Sequence, residues 1–271
     1  MEYETAGDVT VPALGFGTAR MDDYDEERRA MEAALDAGYR HIDTAQSYGS
    51  ERAVGDAIAD ADVAREDCFI TTKLAGDNRS HDRVITSTEQ SLDRLSTEYL
   101  DLLLIHYPND EISHEETLSA MNELHEDGLV EHLGVSNFSI DQCEAAIECS
   151  DAPILTNQVK YHARNRQDAL LTWCLEHDVL LTAYSPLGVG DLLSEPVLQD
   201  IGEDHDKTAA QVAIRWLLDQ PNVITIPMSS SPAHIRQNLD VFDFELTDEE
   251  RERIYELDGA LDEELASKLA R

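Results

Sequence analysis

Lysine is nearly absent: Lys73, Lys160, Lys207 and Lys268 are the whole complement in 271 residues. With arginine the cations number 20 against 57 carboxylates, a formal net charge of −37. A surface of that sign repels phosphate backbones and anionic lipid, so nucleic acid and membrane are disfavoured as partners. The carboxylates are spread over the whole chain rather than gathered in a tail, which argues against a cation-binding patch. Their mutual repulsion is relieved where the Debye length shrinks to about 3 Å at roughly 1 M salt, so the composition is that of a halophile.

Cysteine is equally sparse. Cys68, Cys143, Cys149 and Cys174 contain no Cys-x-x-Cys pair, so neither a zinc site nor a disulfide framework is indicated. The four read as core thiols, and no metal is expected. No run of about 18 apolar residues exists to span a bilayer, and Met1-Glu2-Tyr3-Glu4 lacks the basic and then apolar character of a signal peptide. The sequence therefore predicts a soluble, cytoplasmic protein. Linker-like Pro/Gly/Ser-rich stretches are also missing, which leaves residues 1–271 as a single domain, and the 42% hydrophobic content is enough to bury a core unaided.

What the chain does contain is repetition. Short apolar runs alternate with amphipathic stretches, the pattern of a parallel sheet built from βα units. Candidate strands are Leu14–Gly17, Tyr39–Ile42, Cys68–Thr72, Leu100–Ile105, Val130–Val135, Pro153–Thr156, Val179–Ala183 and Val223–Ile226. Eight such units at roughly 30-residue spacing match the ~250 residues of a (β/α)8 TIM barrel. Residues 1–11 then precede the barrel as a short hairpin through Gly7-Asp8, placed to plug its floor. Between strands, Ala209, Val212, Ala213, Trp216 and Leu217 form one apolar helix face. Capping boxes are expected at Ser113 with Glu116, Ser139 with Gln142 and Thr247 with Glu250, the last opening a C-terminal helix. Gly38, Gly128 and Gly134 fall where helices end or strands turn.

In such a barrel the loops after the strands build the active site. Asp43 follows the second run with Tyr48 five residues on, Lys73 the third, and His106 the fourth. Ser136-Asn137, Gln158, Tyr184-Ser185 and Ser229 follow the fifth to eighth. Singly each has an ordinary structural explanation: Asp43 as a helix cap, Lys73 as a solvated stem, His106 as a core histidine. Together an acid, a phenol, an ammonium and an imidazole at one barrel mouth are the set that proton transfer to a carbonyl oxygen would use.

At these residues the chain resembles the aldo-keto reductase family, closest in look to its bacterial 2,5-diketo-D-gluconate reductase branch. The matching stretches are Leu14-Gly-Phe-Gly-Thr18, His41-Ile-Asp-Thr-Ala-Gln-Ser-Tyr48 with Glu51, Thr72-Lys73, Leu102-Leu-Leu-Ile-His106, Gly134-Val-Ser-Asn-Phe138, Asn157-Gln158, Ala183-Tyr-Ser-Pro-Leu-Gly188 and Ile226-Pro227, in family order. The resemblance implies a monomeric NAD(P)H-dependent reductase of aldehydes and ketones. Asp43, Tyr48, Lys73 and His106 fall on the family's four catalytic positions. Ser136, Asn137 and Gln158 match the residues that hold the nicotinamide carboxamide, and Tyr184 the aromatic on which that ring stacks. Gly17, Thr18, Asp43, Ser185, Leu187, Ser229, His234, Gln237 and Asn238 complete the expected cofactor contacts, and Tyr48, His106 and Tyr107 the substrate contacts.

On that reading Tyr48 is general acid in reduction and base in oxidation. Lys73, kept charged and aimed by Asp43, is expected to lower the Tyr48 pKa, and His106 to hydrogen-bond the substrate oxygen. The segment 107–112 is short and the chain stops at Arg271 soon after its last helix, so an open pocket is expected. Ala19 and Tyr107 stand where many relatives carry tryptophan, which favours compact polar carbonyl compounds such as sugar-derived ketones, keto acids and small aldehydes over steroids. Arg20 could greet a carboxylate or be a solvated surface cation. Relatives usually carry a lysine after Ile-Pro and an arginine six residues later to grip the 2′-phosphate of NADPH; here those positions are Met228 and His234. Ser229, Ser230 and Ser231 still offer donors and Arg236 could substitute, so NADPH, NADH or both are expected with a lean toward NADH. Two other classes stay open: a Schiff-base aldolase with Lys73 as nucleophile, and a non-catalytic nucleotide-binding relative. A metal-dependent hydrolase is weaker still, since no His-x-His pair follows the first strand.

Overall fold

The computed structural model describes residues 1–259 other than Asp22 and Asp110. It opens with β1 (Tyr3–Ala6) and β2 (Val9–Pro12), an antiparallel hairpin turning at Gly7-Asp8. Gly7 takes a left-handed φ of 55°, which glycine adopts at little cost. The barrel follows as β3 (Phe16–Gly17), β4 (His41–Asp43), β5 (Phe69–Leu74), β6 (Leu100–Ile105), β7 (Val130–Ser136), β8 (Ile154–Lys160), β9 (Leu180–Tyr184) and β10 (Val223–Thr225). All are parallel, each bonded to its sequence neighbour. Residues 13–15 close the ring against β10 through a parallel bridge from Leu14 to Thr225, with Gly15 N donating to Thr225 O and Thr225 N to Ala13 O, both at 2.9 Å. The expected (β/α)8 barrel is therefore the observed one.

The helices are α1 (Tyr24–Ala37), α2 (Glu51–Asp60), α3 (His81–Leu95), α4 (His114–Glu126), α5 (Ile140–Cys149), α6 (Asp168–His177), α7 (Pro196–Asp204), α8 (Ala209–Leu218), α9 (Pro232–Leu239) and α10 (Asp248–Tyr255). Their apolar faces pack on the outside of the barrel, and the anticipated face of α8 is buried at all five positions. Reciprocal capping boxes form at Ser139 with Gln142 and at Thr247 with Glu250. Ser113 caps α4 but without reciprocity, because Glu116 Oε1 accepts from His81 N instead. A further box, Thr208 with Gln211, opens α8. Gly38 ends α1 in left-handed geometry as expected, whereas Gly134 lies inside β7 and not at a turn. A Cβ there would come within 2.6 Å of Leu104 Cδ2 and 3.0 Å of Thr156 O, so glycine lets three strands approach.

Two apolar regions result. The larger lies between barrel and helices. The smaller fills the barrel floor, where Ala6 and Val11 of the hairpin meet Leu102, Leu104, Leu155, Leu180 and Ile224. Cys68, Cys143 and Cys174 are buried thiols, whereas Cys149 is only half-buried. Among the described residues no helix is long and apolar enough to cross a membrane. The expected C-terminal end of the chain, residues 260–271, lies outside the described residues.

Candidate active site

A cleft of about 560 Å³ opens at the C-terminal ends of the strands. Polar residues in β4, β5, β7 and β8 point into this end of the barrel, which is why the apolar runs of the sequence stop short of the true strand ends. At the bottom of the cleft Lys73 is fully buried and Asp43 nearly so. Lys73 Nζ donates to Asp43 Oδ1 at 2.5 Å and to Thr44 O at 2.8 Å. The other oxygen, Asp43 Oδ2, accepts from Gln158 Nε2 at 2.7 Å. An ion pair sealed from solvent in this way is sustained by the further hydrogen bonds from Lys73 to Thr44 O and from Gln158 to Asp43.

Tyr48 and His106 sit above that pair. Lys73 Nζ lies 5.0 Å from the centre of the Tyr48 ring, and the Tyr48 and His106 rings meet edge to face at 5.6 Å. Tyr107 stacks on the far side of His106 at 4.6 Å. The turn carrying Tyr48 is tied down by Thr44 Oγ1 and Thr18 Oγ1, which both bond Ser50 Oγ, at 2.8 and 2.9 Å. Burial and the nearby Lys73 charge push the His106 imidazole down to about 4, so it is neutral at pH 7 and can donate one N–H.

Tyr48 corrects an expectation. Its pKa is pushed well above the usual phenol range, first by burial and then by the Asp43 and Tyr107 charges, and not lowered by Lys73. Desolvation is the largest cause, and the Asp43 carboxylate below the ring adds to it. Tyr48 is therefore a protonated donor at neutral pH. Lys73 is itself pushed down by burial and held up by Asp43. Fully covered and salt-bridged, it has no access to a substrate carbonyl, which counts against a Schiff-base role.

Along the cleft, Tyr184 presents a half-buried ring whose hydroxyl donates to Asn137 Oδ1 at 2.9 Å. Asn137, left-handed at φ 61°, also donates from Nδ2 to His106 O and Ser136 Oγ, both at 3.0 Å. Ser136 Oγ in turn donates to Gln158 O at 2.8 Å. A fixed aromatic plate beside Gln158, whose carboxamide is tied to Asp43 and whose backbone carbonyl is tied to Ser136, suits a flat ring that carries an amide. Farther along, Gly17, Ser185, Leu187, Ser229, His234, Gln237 and Asn238 line the wall around the start of α9. This donor set fits the nicotinamide and adenosine ends of a dinucleotide.

Two expected contacts are placed differently. Thr18 is buried behind the wall, where its N–H and hydroxyl both donate to Asp43 O, so it supports Asp43. Asn137 is not part of the cleft wall and acts as a brace between Tyr184 and His106. Met228 lines the cleft where a phosphate-gripping cation was sought, and Arg236, the suggested substitute, is exposed outside it. Ala19, Arg20 and Tyr107 do line it, Tyr107 being 56% exposed at the rim. Sequence reading missed Val189, Gly190 and Leu193, on a segment whose Val189 is left-handed at φ 60°, and Thr208, Ala209 and Ala210 at the start of α8. The Thr208 capping box was the available signal for the latter.

The Aldo/keto reductase family profile matches residues 13–259. A glyoxal reductase of Bacillus subtilis is 39% identical over 91% of this chain and 88% of its own length. A solved structure of a candidate 2,5-diketo-D-gluconic acid reductase B superposes with a TM-score of 0.93 at 43% identity, over 95% of this chain and 91% of the other. An aldo-keto reductase of Bombyx mori, solved in complex with NADP, superposes at 0.87 with 33% identity over 97% and 95% of the two chains. The chain belongs to the aldo/keto reductase family, whose members are NAD(P)H-dependent oxidoreductases of carbonyl compounds.

Proposed function

We propose that this enzyme reduces small, polar carbonyl compounds, with Tyr48 as proton donor and His106 as the group that orients the carbonyl oxygen. The observation that supports this reading is the convergence of a protonated phenol and a neutral imidazole at one end of the cleft, above a buried ammonium. The dihydronicotinamide, when bound, supplies hydride to the carbonyl carbon. Negative charge then develops on oxygen, and donors placed in advance stabilise it. The His106 N–H fixes the direction of the C=O bond. Tyr48 gives its proton to the same oxygen; an alkoxide is more basic than a phenolate, so a raised phenol pKa does not block the transfer. Lys73, held by Asp43, lies 5.0 Å from the centre of the ring that gives up the proton. In oxidation Tyr48 takes the proton back.

Ser136 and Gln158 would hold the carboxamide with Asn137 bracing them, Tyr184 the ring face, Gly17, Ser185 and Leu187 the middle of the dinucleotide, and Ser229, His234, Gln237 and Asn238 its adenosine end. Tyr107 and Ala19 leave the substrate end open, and the likeness to a glyoxal reductase favours compact carbonyls. The same reading takes the protein as a monomeric cytoplasmic enzyme with one barrel domain. Tyr48→Phe tests the core of it: turnover of a small aldehyde falls by about 10²- to 10⁴-fold, while cofactor binding followed by tryptophan fluorescence is kept. Near wild-type turnover with intact cofactor binding would refute the assignment.

With Met228 and His234 at the adenosine end, neither position supplies fixed positive charge for a 2′-phosphate, and among the described residues the arginine that lines the cleft, Arg20, lies near Tyr48 and Tyr184. A charge-assisted hydrogen bond contributes roughly 1.5–3 kcal/mol, so losing two removes a large preference for NADPH. The enzyme accepts both cofactors or leans to NADH. A kcat/KM ratio favouring NADPH by more than about a hundredfold, roughly 2.7 kcal/mol, would overturn this.

A further inference from the structure

Arg79 lies in the loop 75–80 between β5 and α3 and is 1% exposed. Among the described residues no carboxylate forms an ion pair with it, although the chain is crowded with carboxylates and Arg28, Arg65, Arg94, Arg166, Arg215 and Arg251 are each paired with one. Burial pushes its pKa down to about 10, so it is still a cation at neutral pH. A buried guanidinium without a counter-charge is costly unless its donors are well used. Here they are. Nη1 donates to Tyr107 O at 2.5 Å, Nε to Thr117 Oγ1 at 3.3 Å and Nη2 to His114 Nδ1 at 3.3 Å, and Thr117 Oγ1 donates back to Arg79 O at 2.8 Å.

The carbonyl it grips is the one after His106, whose own carbonyl is held by Asn137 Nδ2. Two successive carbonyls are thus clamped by two separate loops, and the Tyr107 ring stacked on His106 is carried by the same peptide. The loop 75–80 also reaches the other way. Ala75 N and Asn78 Nδ2 both donate to Gln46 Oε1 at 2.9 Å, two residues before Tyr48. One short loop therefore grips the backbone beside the imidazole and the segment that carries the phenol.

We propose that Arg79 is a positioning residue for carbonyl reduction: by clamping the Tyr107 carbonyl to the loop that also holds Gln46, it sets how His106 faces Tyr48 across the bound carbonyl. The inference rests on the roles given above to His106 and Tyr48. Arg79 touches neither substrate nor cofactor and acts through His106, and its charge makes the grip on a neutral carbonyl stronger than a neutral donor could.

Arg79→Met keeps length and burial and removes every donor; Arg79→Lys keeps charge but cannot make three divergent contacts. The expected result for Arg79→Met is a roughly 10- to 100-fold fall in kcat/KM for a small aldehyde, since misplacement by about 1 Å can cost that much. Cofactor Kd measured by tryptophan fluorescence stays within about twofold. Arg79→Lys falls between, and guanidinium ion added to the Met variant at sub-denaturing concentration restores part of the loss. The His106 ring signals in a nitrogen-correlated NMR spectrum shift in Arg79→Met, a readout that needs no turnover. A folded Met variant with wild-type kcat/KM, or His106 signals unmoved, overturns the proposal. So does a loss shared equally by cofactor binding and melting temperature, the mark of general packing damage. Wild-type enzyme inactive on every carbonyl, with His106 signals still moving in the variant, would instead count against the roles of Tyr48 and His106.

Discussion

Asp43→Asn should be among the most damaging conservative substitutions in the molecule, for stability as well as catalysis. At the observed 2.5 Å the Lys73–Asp43 attraction is on the order of 7 kcal/mol for an effective dielectric constant near 20. Burying each ion costs several kcal/mol, so the intact pair is close to neutral in net terms. Asparagine removes the attraction and leaves the cost of the ammonium, a deficit of about 3–5 kcal/mol. For a chain of this size about 2–4 °C of melting temperature goes with each kcal/mol, so the midpoint should drop by roughly 6–20 °C. The sign of the pH dependence is a second check. With Asp43 gone, Lys73 in the fold releases its proton more readily than in the unfolded chain, so the deficit is full at neutral pH and narrows as pH rises toward the ordinary lysine range near 10.4. Lys73→Met combined with Asp43→Asn should regain most of the lost stability but none of the activity. Thermal melts of wild type, both singles and the double at fixed salt decide it. An Asp43→Asn midpoint within about 2 °C of wild type, or a double mutant no better than the worse single, would show that the pair is not the sealed unit described.

Two further outcomes follow from the electrostatics. The His106 ring, depressed to about 4, should show no NMR titration between pH 8 and pH 5, and its share of folding stability should weaken as pH falls from about 6.5 through 4, where the unfolded chain takes up a proton that the fold refuses; a midpoint near 6.5 would contradict its burial against Lys73. The net charge of −37 predicts that melting temperature and activity decline when multi-molar KCl is replaced by dilute buffer, and indifference to that change would end the halophile reading.

Barrel architecture was legible because eight apolar runs are visible without knowing where each ends. Their ends were less so. Asp43, Lys73, Ser136, Asn157 and Gln158 are strand residues, not loop residues, since one end of this barrel interior is polar and hydrogen-bonded throughout; an apolar criterion cuts strands short there. The four residues proposed as catalytic could be picked out by type and order, and the structure brings them together at one end of the cleft, but their electrostatics could not be read: proximity of Lys73 to Tyr48 suggested an acidified phenol, whereas burial and Asp43 push its pKa up. Arg79 could not have been singled out. An arginine in the polar stretch Gly76-Asp-Asn-Arg79 reads as solvated surface, and its burial depends on packing against residues 28 to 38 positions away. Ser113 showed the converse fault, a half-formed box whose Glu116 is claimed by His81 of another helix.

The hairpin on the barrel floor bears on how protons travel. With Ala6 and Val11 filling the base together with five inward leucine and isoleucine side chains, the interior behaves as a vessel stoppered at one end. On the proposed mechanism the proton that Tyr48 hands to product must be replaced from solvent, and the apolar cluster at the base stands between the interior and the solvent on that side. Replenishment therefore shares the mouth with substrate and product, so that recharging the phenol waits on departure of whatever fills the cleft. If Tyr48 is the proton donor, turnover in such a vessel is gated by emptying, and a loosened stopper would uncouple the two.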